Sequence, residues 1–522
     1  MRWIILACLF YHSNPLLSQF KISFSFDSIR INGWPGVHSF AYAQRDSEII
    51  IIGGRIDGIH PKESGFERSN ANDKIFIWNT ESMKVESFEL KLTSPELKNF
   101  FTAANHLFIQ KDSLFYLMGG YGQASDSSYL SYDYLAQINL RAFIDLIKQN
   151  KSADESIQWI RNPLFANAGG KLMKLHSEFV IVGGHRFMGK YSSNSSKINQ
   201  SYFNKALFFS IPASPILQVE IRDSILDEFN FHRRDYNTAY FGRGNDKKII
   251  VFSGVFQVNE EKAFTNLALL GPKGYTDIST PQYFSNYHCA HTGFIDSTNT
   301  QYHVFFGGMS EQYKDSLGLL KTDYLVPFVN HVSMISIDST AQCNEYMLSE
   351  ILPGDFGATA EFVISDHVAL RDGLIDCSSL TANDKTIGYI FGGLWNKSGN
   401  RNPWKNDLAH LVSANPFFIK VKARLAKDVS VINPTSKPKS LYSITVSDQQ
   451  LELMSELGEE KQLYYRIQDY QGRSIQKGKI NLGYNQKAQI EMATAFPSGQ
   501  YRCLLLNEQH HIIANLAFQI IH

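Results

Sequence analysis

The sequence predicts an all-β protein: a six-bladed β-propeller over residues 20–427, then a small β-sandwich over residues 441–522. Three observations carry this. An apolar run that stops at two glycines returns six times. Each return is flanked by three more short segments of strand-like composition. Aromatics reach 13%, with 37 Phe and 25 Tyr, which favours strands over helices.

The runs are "EIIIIGG" (Gly53, Gly54), "LFYLMGG" (Gly119, Gly120), "EFVIVGG" (Gly183, Gly184), "KIIVFSG" (Ser253, Gly254), "YHVFFGG" (Gly307, Gly308) and "IGYIFGG" (Gly392, Gly393). The fourth has serine in place of its first glycine. A unit that recurs at this period points to solenoids or propellers.

A first strand is expected before each run: "HSFAYAQ", "FFTAANHLF", "LFANAGGKLMKL", "DYNTAYFG", "HCAHTGFI" and "HVALRDGLI". Turns such as "QRDSE" and "GNDKK" join first to second strand. A third strand follows a variable loop: "NDKIFIWNT", "YDYLAQINL", "NKALFFSI", "FTNLALLG", "HVSMISID" and "NDLAHLVS". A fourth closes the unit: "MKVESFEL", "ESIQWIR", "ILQVEIRD", "GYTDIST", "NEYMLSEIL" and "FFIKVKAR". Four short antiparallel strands, repeated radially, describe propeller blades. Residues 20–31 alternate apolar and polar and compete with 417–425 to close the ring. One helix is expected at 140–149.

The chain resembles the kelch-repeat family over about residues 20–425. The resemblance rests on the diglycine after an apolar strand and on the four-strand unit. The glycine steps exceed the roughly 50 residues usual for kelch, and the aromatics that often follow the glycines are represented only by Trp78 and Trp159. The second strand reads apolar throughout because neighbouring blades cover both faces. Glycine at its end permits φ > 0 and close backbone approach near the hub, so these glycines read as architectural. No GxGxxG or GxxxxGK[ST] opens a helix after any of them, and no cofactor is expected.

At the N-terminus, Arg2, an apolar stretch over 3–11 and Ser18 read as a secretory signal peptide over 1–18. No other stretch is apolar enough to form a transmembrane segment. Lys plus Arg and Asp plus Glu balance at 50 each, giving no footprint for nucleic acid. Cys289, Cys343, Cys377 and Cys503 remain after Cys8 leaves with the signal; a Cys343–Cys377 disulfide and two buried thiols are both open.

"VINPTSKPKS" ends a linker over 428–440. The tail then shows "RIQDYQGRSIQKG", with Asp469 and Gly472 in a turn, "FPSGQYRCLLL", with Gly499 and Tyr501, and a last strand at the chain end. It resembles the C-terminal sorting domain (type A) of the bacterial type IX secretion system. That resemblance implies export through the periplasm, partnership with the secretion machinery through residues 441–522, and a secreted or cell-surface protein. The "DSI" and "DSL" tripeptides at Asp27, Asp112, Asp223 and Asp315 resemble the O-glycosylation acceptor of the same bacteria.

Long loops between second and third strands (55–73, 121–133, 185–204, 309–330, 394–406) gather on one face, which suggests a binding surface. Candidate binding residues there are His38, Arg55, Tyr121, His185, Arg186, His232, Arg233, His288, His367 and Trp395. Arginine with aromatics suits a carbohydrate or a carboxylate. In "NYHCAHTGF" strand parity sends His288 away from Cys289 and His291, so no metal site is expected. No catalytic residue stands out. The function expected is non-catalytic binding or adhesion to a glycan or protein. The alternative is a sugar-oxidising or mutarotase-like kelch enzyme; the first would need Tyr and His copper ligands with a Cys beside a Tyr, the second a Glu and an Arg in the hub.

Overall fold

The computed structural model describes residues 22–59, 66–190, 199–258, 262–272, 274–278, 282–314, 320–403, 408–426, 431–432, 442–447, 450–455, 461–469, 474–482, 487–492, 496–497, 499–506 and 512–520. The expected signal peptide, most of the linker, Gly472 and Asp315 lie outside them.

The chain is all-β, and its sheets are overwhelmingly antiparallel. Sheet 1 joins Ala41–Arg45, Glu48–Ile52, Lys74–Asn79 and Lys84–Glu89 in chain order. Sheet 2 joins Ala104–Lys111, Leu114–Gln123, Tyr134–Asn139 and Ile157–Arg161. Sheet 3 uses Lys171–Leu175, Glu178–Val182, Lys205–Ser210 and Glu220–Leu226. Sheet 4 uses Asn237–Phe241, Lys248–Phe252, Leu267–Gly271 and Gly274–Ile278. Sheet 5 has Ala290–Ile295, Gln301–Phe306, His331–Ile337 and Cys343–Ile351 at its centre.

Sheet 6 departs from the expected assignment. Its strands are Ala360–Ile364, Lys385–Gly392, Phe417–Leu425 and Ile22–Arg30. The first strand therefore lies upstream of "HVALRDGLI", which instead forms a small hairpin whose Leu374–Asp376 strand runs parallel to Ala290–Ile295 of sheet 5. "NDLAHLVS" is not the third strand. That role falls to Phe417–Leu425, and the N-terminal Ile22–Arg30 supplies the outermost one. Both segments that competed to complete this sheet are used. Val431–Ile432, inside the expected linker, adds to the outer edge of sheet 5.

Burial explains the unbroken apolar runs. Ile49, Ile50, Ile51 and Ile52 are all fully buried. Ile50 and Ile52 pack with Phe115 and Leu117 of sheet 2, whereas Ile49 and Ile51 pack with Phe391 of sheet 6. Successive side chains alternate faces, so both faces meet a neighbour. Each such burial contributes about 1.5–3 kcal/mol.

Backbone hydrogen bonds join sheet to sheet at the glycine ends. Gly54 N donates to Ala103 O (2.9 Å), Gly120 N to Asn167 O (2.8 Å) and Gly184 N to Arg233 O (2.7 Å). Gly308 N donates to Phe356 O, and Gly393 N to Val37 O (both 2.9 Å), the last leading from sheet 6 to sheet 1. A second series runs alongside: Asn105 N to Ser39 O, Gly169 N to Asn105 O, Asp235 N to Gly169 O, His288 N to Asp235 O and Thr359 N to His288 O. Among the described residues, the second of these two series continues between sheets 4 and 5, where Ser253 replaces the first glycine and the first series has no member.

Gly119 shows why the glycine is needed. Its φ is +63°, and a Cβ there would stand 2.1 Å from Asn167 O. Ser253 tolerates φ +42° while its hydroxyl donates to Phe264 O (2.8 Å).

The expected helix is Leu140–Lys148, capped by the Asn139 side chain. A second, Pro95–Phe101, is capped by Ser94 and buries Leu97, Phe100 and Phe101. The C-terminal region holds seven described strands in sheets of three and four, which share one apolar core around Leu451, Leu463, Ile467, Cys503 and Leu505. Cys289, Cys343, Cys377 and Cys503 are all free thiols, so Cys343 and Cys377 are not bridged. Burial pushes each up to about 12.

Candidate functional site

Beyond the glycines every sheet carries one short cross-strand row. Sheet by sheet the rows are His38–Arg55–Ala71, Ala104–Tyr121–Ser131, Ala168–His185–Tyr202, Arg234–Val255–Ala263, Tyr287–Met309–Phe328 and Ala358–Leu394–Ala414. The residue just after the diglycine is thus Arg55, Tyr121 and His185 in the first three sheets, and Val255, Met309 and Leu394 in the last three.

The first half makes a belt of cations and aromatic rings. Arg55 Nε donates to Asp57 Oδ1 (2.9 Å), and its terminal nitrogen bonds the second Asp57 oxygen. His38 Nε2 lies 3.5 Å from Asp57 Oδ1. Burial dominates at His38 and holds the imidazole below its ordinary value, against the pull of Asp57. Burial acts to raise Asp57, but hydrogen bonds from His38 and Arg55 outweigh it and keep the carboxylate ionised.

The Arg55 guanidinium sits 4.7 Å from the centre of the Phe66 ring. Phe66 meets Tyr121 edge-on at 4.9 Å, and Tyr121 meets Phe187 at 5.3 Å. Tyr121 OH donates to Gly189 O (2.7 Å). His185 then leads to Tyr202, which stacks on His232 at 3.6 Å between ring centres. Arg234 lies beside His185 (3.4 Å) and over Phe256 (4.3 Å). Burial, then the Arg234 cation, pushes His185 well below its ordinary value, so it is neutral here. Strands Tyr129–Ser131, His185–Met188 and Asn199–Tyr202 stitch this half together as an extension of sheet 2.

The other half is richer in acids and amides. Asp323 accepts from the Asn402 amide (2.6 Å), and Asp355 from the Asn396 amide (3.3 Å). Burial raises the Asp355 carboxyl. Arg401 lies over Tyr313 at 5.0 Å.

The structure separates the sequence candidates. His38, Arg55, Tyr121 and His185 belong to the belt but keep only 2–6% of their surface, so they support the face from beneath, whereas His232 is partly exposed. Arg186 is exposed on its strand. Arg233 does not face outward: it is 0% exposed, donates to Asn230 O, Ser253 O (2.7 Å) and Asn266 Oδ1 (2.8 Å), and is pushed down to about 10 by burial. Its neighbour Arg234 takes the outward position. His367 is exposed in the turn after Ala360–Ile364, away from the glycine ends. Trp395 is half-buried against Phe356 and Phe417.

His288 bonds Glu361 Oε1 (3.1 Å), and the two side chains keep 13% and 17% of their surface. Burial acts to raise Glu361, but His288 and the nearby Lys171 hold it below the ordinary range. His291 instead bonds the fully buried His303 (3.1 Å). Among the described residues no three His, Cys, Asp or Glu side chains gather as a metal site. No described helix is long and apolar enough to cross a membrane.

Sequence reading missed Asp57, Phe66, Tyr202, Arg234, Phe256 and Glu361. For Arg234 a signal existed: adjacent strand residues face opposite ways, so only one of Arg233 and Arg234 could point outward.

No protein-family model matches the chain, and no curated protein matches it. Among solved structures it is similar to one described as the structure of YjhT, at 12% identity and a TM-score of 0.41, covering 78% of this chain and 99% of that one.

Proposed function

We propose that residues 22–425 form a six-bladed kelch-type propeller and that the chain is a non-catalytic binding or adhesion protein using its post-glycine face for a glycan or protein ligand. The succession of inter-sheet hydrogen bonds, returning from Gly393 to Val37, supports the propeller. The observation that carries the binding reading is the partly exposed set Phe66, Tyr202, His232, Arg234 and Phe256, held in place by the buried Arg55, Tyr121 and Phe187. Planar rings and multi-donor side chains on a rigid frame suit polar ligands with flat apolar patches.

Each belt cation already has a carboxylate close by, Arg55 with Asp57 and Arg234 with Asp235 (3.5 Å). Through its partly exposed members the belt therefore offers aromatic contact and directed hydrogen bonds more than net charge. The two-sheet C-terminal region is in keeping with a type IX sorting domain, and we propose on that resemblance that the protein is exported to the cell surface.

The test is binding of the whole chain to glycan and protein arrays, with Tyr202→Ala and Arg186→Glu alongside. Binding lost in Tyr202→Ala at unchanged melting temperature supports the reading. Arrays with no ligand, or binding indifferent to both substitutions, would sink it.

The half-buried His288–Glu361 pair favours a second reading, an enzyme acting on a sugar, since the carboxylate could exchange protons through the imidazole. Turnover of reducing sugars that disappears in Glu361→Gln would select it.

A further inference from the structure

The acid- and amide-rich half of the same face holds an open pocket of about 560 Å³ lined by Tyr313, Asp323, Ser398, Asn400, Arg401 and Asn402. Its walls come from the long segments of sheets 5 and 6. Tyr313 lies on Gln312–Lys314, paired with Leu320–Thr322, and Asp323 follows directly. Opposite, a chain of side-chain bonds sets the loop in place. Asn396 Oδ1 accepts from Ser398 N (3.1 Å) and from Ser398 Oγ (2.6 Å), and Asn400 Oδ1 accepts from Asn402 N (2.9 Å).

Three features fix the ligand chemistry. Asn402 is 8% exposed, its amide donates to Asp323 Oδ2 (2.6 Å), and its Oδ1 has no hydrogen-bond partner among the described residues. A buried acceptor left empty costs free energy; Oδ1 has no accessible surface as it stands, so an incoming hydroxyl donor would recover that cost as the Asn402 side chain turns to meet it. Second, Asp323 accepts Leu325 N on Oδ1 (3.0 Å) and Asn402 on Oδ2, which leaves lone pairs on both oxygens. Third, the one lining cation is engaged: Arg401 Nη1 donates to Phe328 O and Nη2 to Lys314 O (both 3.2 Å).

Those two bonds turn both terminal nitrogens of Arg401 toward backbone carbonyls, and Asp323 on the same lining repels a phosphate or carboxylate. A single carboxylate that already takes two N–H donors is a weak counter-ion for an ammonium. A carboxylate, an unfilled amide oxygen and an aromatic ring side by side match neighbouring hydroxyls on one edge of a sugar and C–H groups on its flat face. The volume falls in the range of small-ligand sites.

We propose that this pocket binds a neutral saccharide residue, with Asp323 and Asn402 accepting its hydroxyls and Tyr313 lying against the ring. This deepens the binding reading of the face and rests on it.

The experiment titrates the whole chain with the methyl glycosides of glucose, galactose, mannose and N-acetylglucosamine, followed by ligand-observed NMR. Wild type, Asn402→Ala, Asp323→Asn and Tyr202→Ala are compared, and thermal melting checks that each folds. The expected result is that at least one glycoside binds, that Asn402→Ala and Asp323→Asn each weaken it about tenfold or more, and that Tyr202→Ala leaves it within twofold. Asp323→Asn keeps the side-chain volume and guards against misfolding of the other variant. No binding by any of the four glycosides, or binding that survives both pocket substitutions, overturns the proposal. Binding lost only in Tyr202→Ala overturns it while leaving the wider reading of the face intact; failure on the arrays as well removes that reading too.

Discussion

The six cross-strand rows are built alike, yet their central residues divide into two halves. In sheets 1 to 3 the position after the diglycine holds Arg55, Tyr121 and His185. In sheets 4 to 6 it holds Val255, Met309 and Leu394. The backbone bridges are the same on both sides, so the difference belongs wholly to the side chains. It teaches that the scaffold does not dictate what the face carries: glycines and buried strands set the frame, and one residue per sheet sets its local chemistry.

Four perturbations bear on that comparison, the strongest first. Arg233 and Arg234 are adjacent but serve frame and face respectively. Arg233→Ala leaves Asn230 O, Ser253 O and Asn266 Oδ1 without their donor, and should cost about 3–5 kcal/mol in urea unfolding. Arg234→Ala removes the cation beside the buried Asp235 and should cost less, about 1–2 kcal/mol, while also acting on ligand capture. Equal losses would erase the distinction between frame and face.

Next come the glycine ends. Gly119→Ala drives a Cβ toward Asn167 O and should cost about 2–4 kcal/mol. Ser253→Gly should move stability by no more than about 1 kcal/mol, because relief at φ +42° offsets the lost bond to Phe264 O. Thermal melting of the two variants side by side checks this.

Buried histidines give a pH test. Burial holds His106 at about 4, and His303 and His331 at about 3. Folded values below the unfolded value mean that the unfolded chain binds more protons. Stability is therefore full above about pH 6.5 and is lost as pH falls toward 3. His303→Gln should lessen the slope of unfolding free energy by about 1.4 kcal/mol per pH unit between pH 6 and 4. An unchanged slope would mean that His303 is accessible to protons in the fold. The smallest effect is expected at Arg186→Glu, within about 0.5 kcal/mol of wild-type stability, with any change confined to binding.

Much of the frame was legible in the sequence because steric need and burial coincide at one motif. An apolar run ending in glycine reports both a strand covered on two faces and a backbone too crowded for Cβ, and sheets 1 to 5 fall where the motif puts them. Sheet 6 was misread for a physical reason. Its first and second strands are separated by a long insertion, and within it "HVALRDGLI" has the turn and apolar flanks of an ordinary hairpin, which it forms. Its third and fourth strands come from opposite ends of the region, which a strictly sequential repeat does not anticipate. The site was less legible. Composition marks arginines and histidines, but only packing tells the buried Arg233 from the outward Arg234. Glu361 and Asp57 are ordinary acids until His288, His38 and Arg55 come beside them.

Ile22–Arg30 aligns with Phe417–Leu425 residue for residue, from Ile22 with Leu425 to Arg30 with Phe417. A ribosome releases the earlier of these two partners first and the later one only after almost every other strand of the six sheets. Until then the N-terminal segment has no mate, and the nascent chain carries a bare strand that invites pairing with another copy. This pairing is thus a closure across nearly the whole region, of the kind that topology makes slow, and a strand kept waiting for it is open to its own kind until its mate arrives.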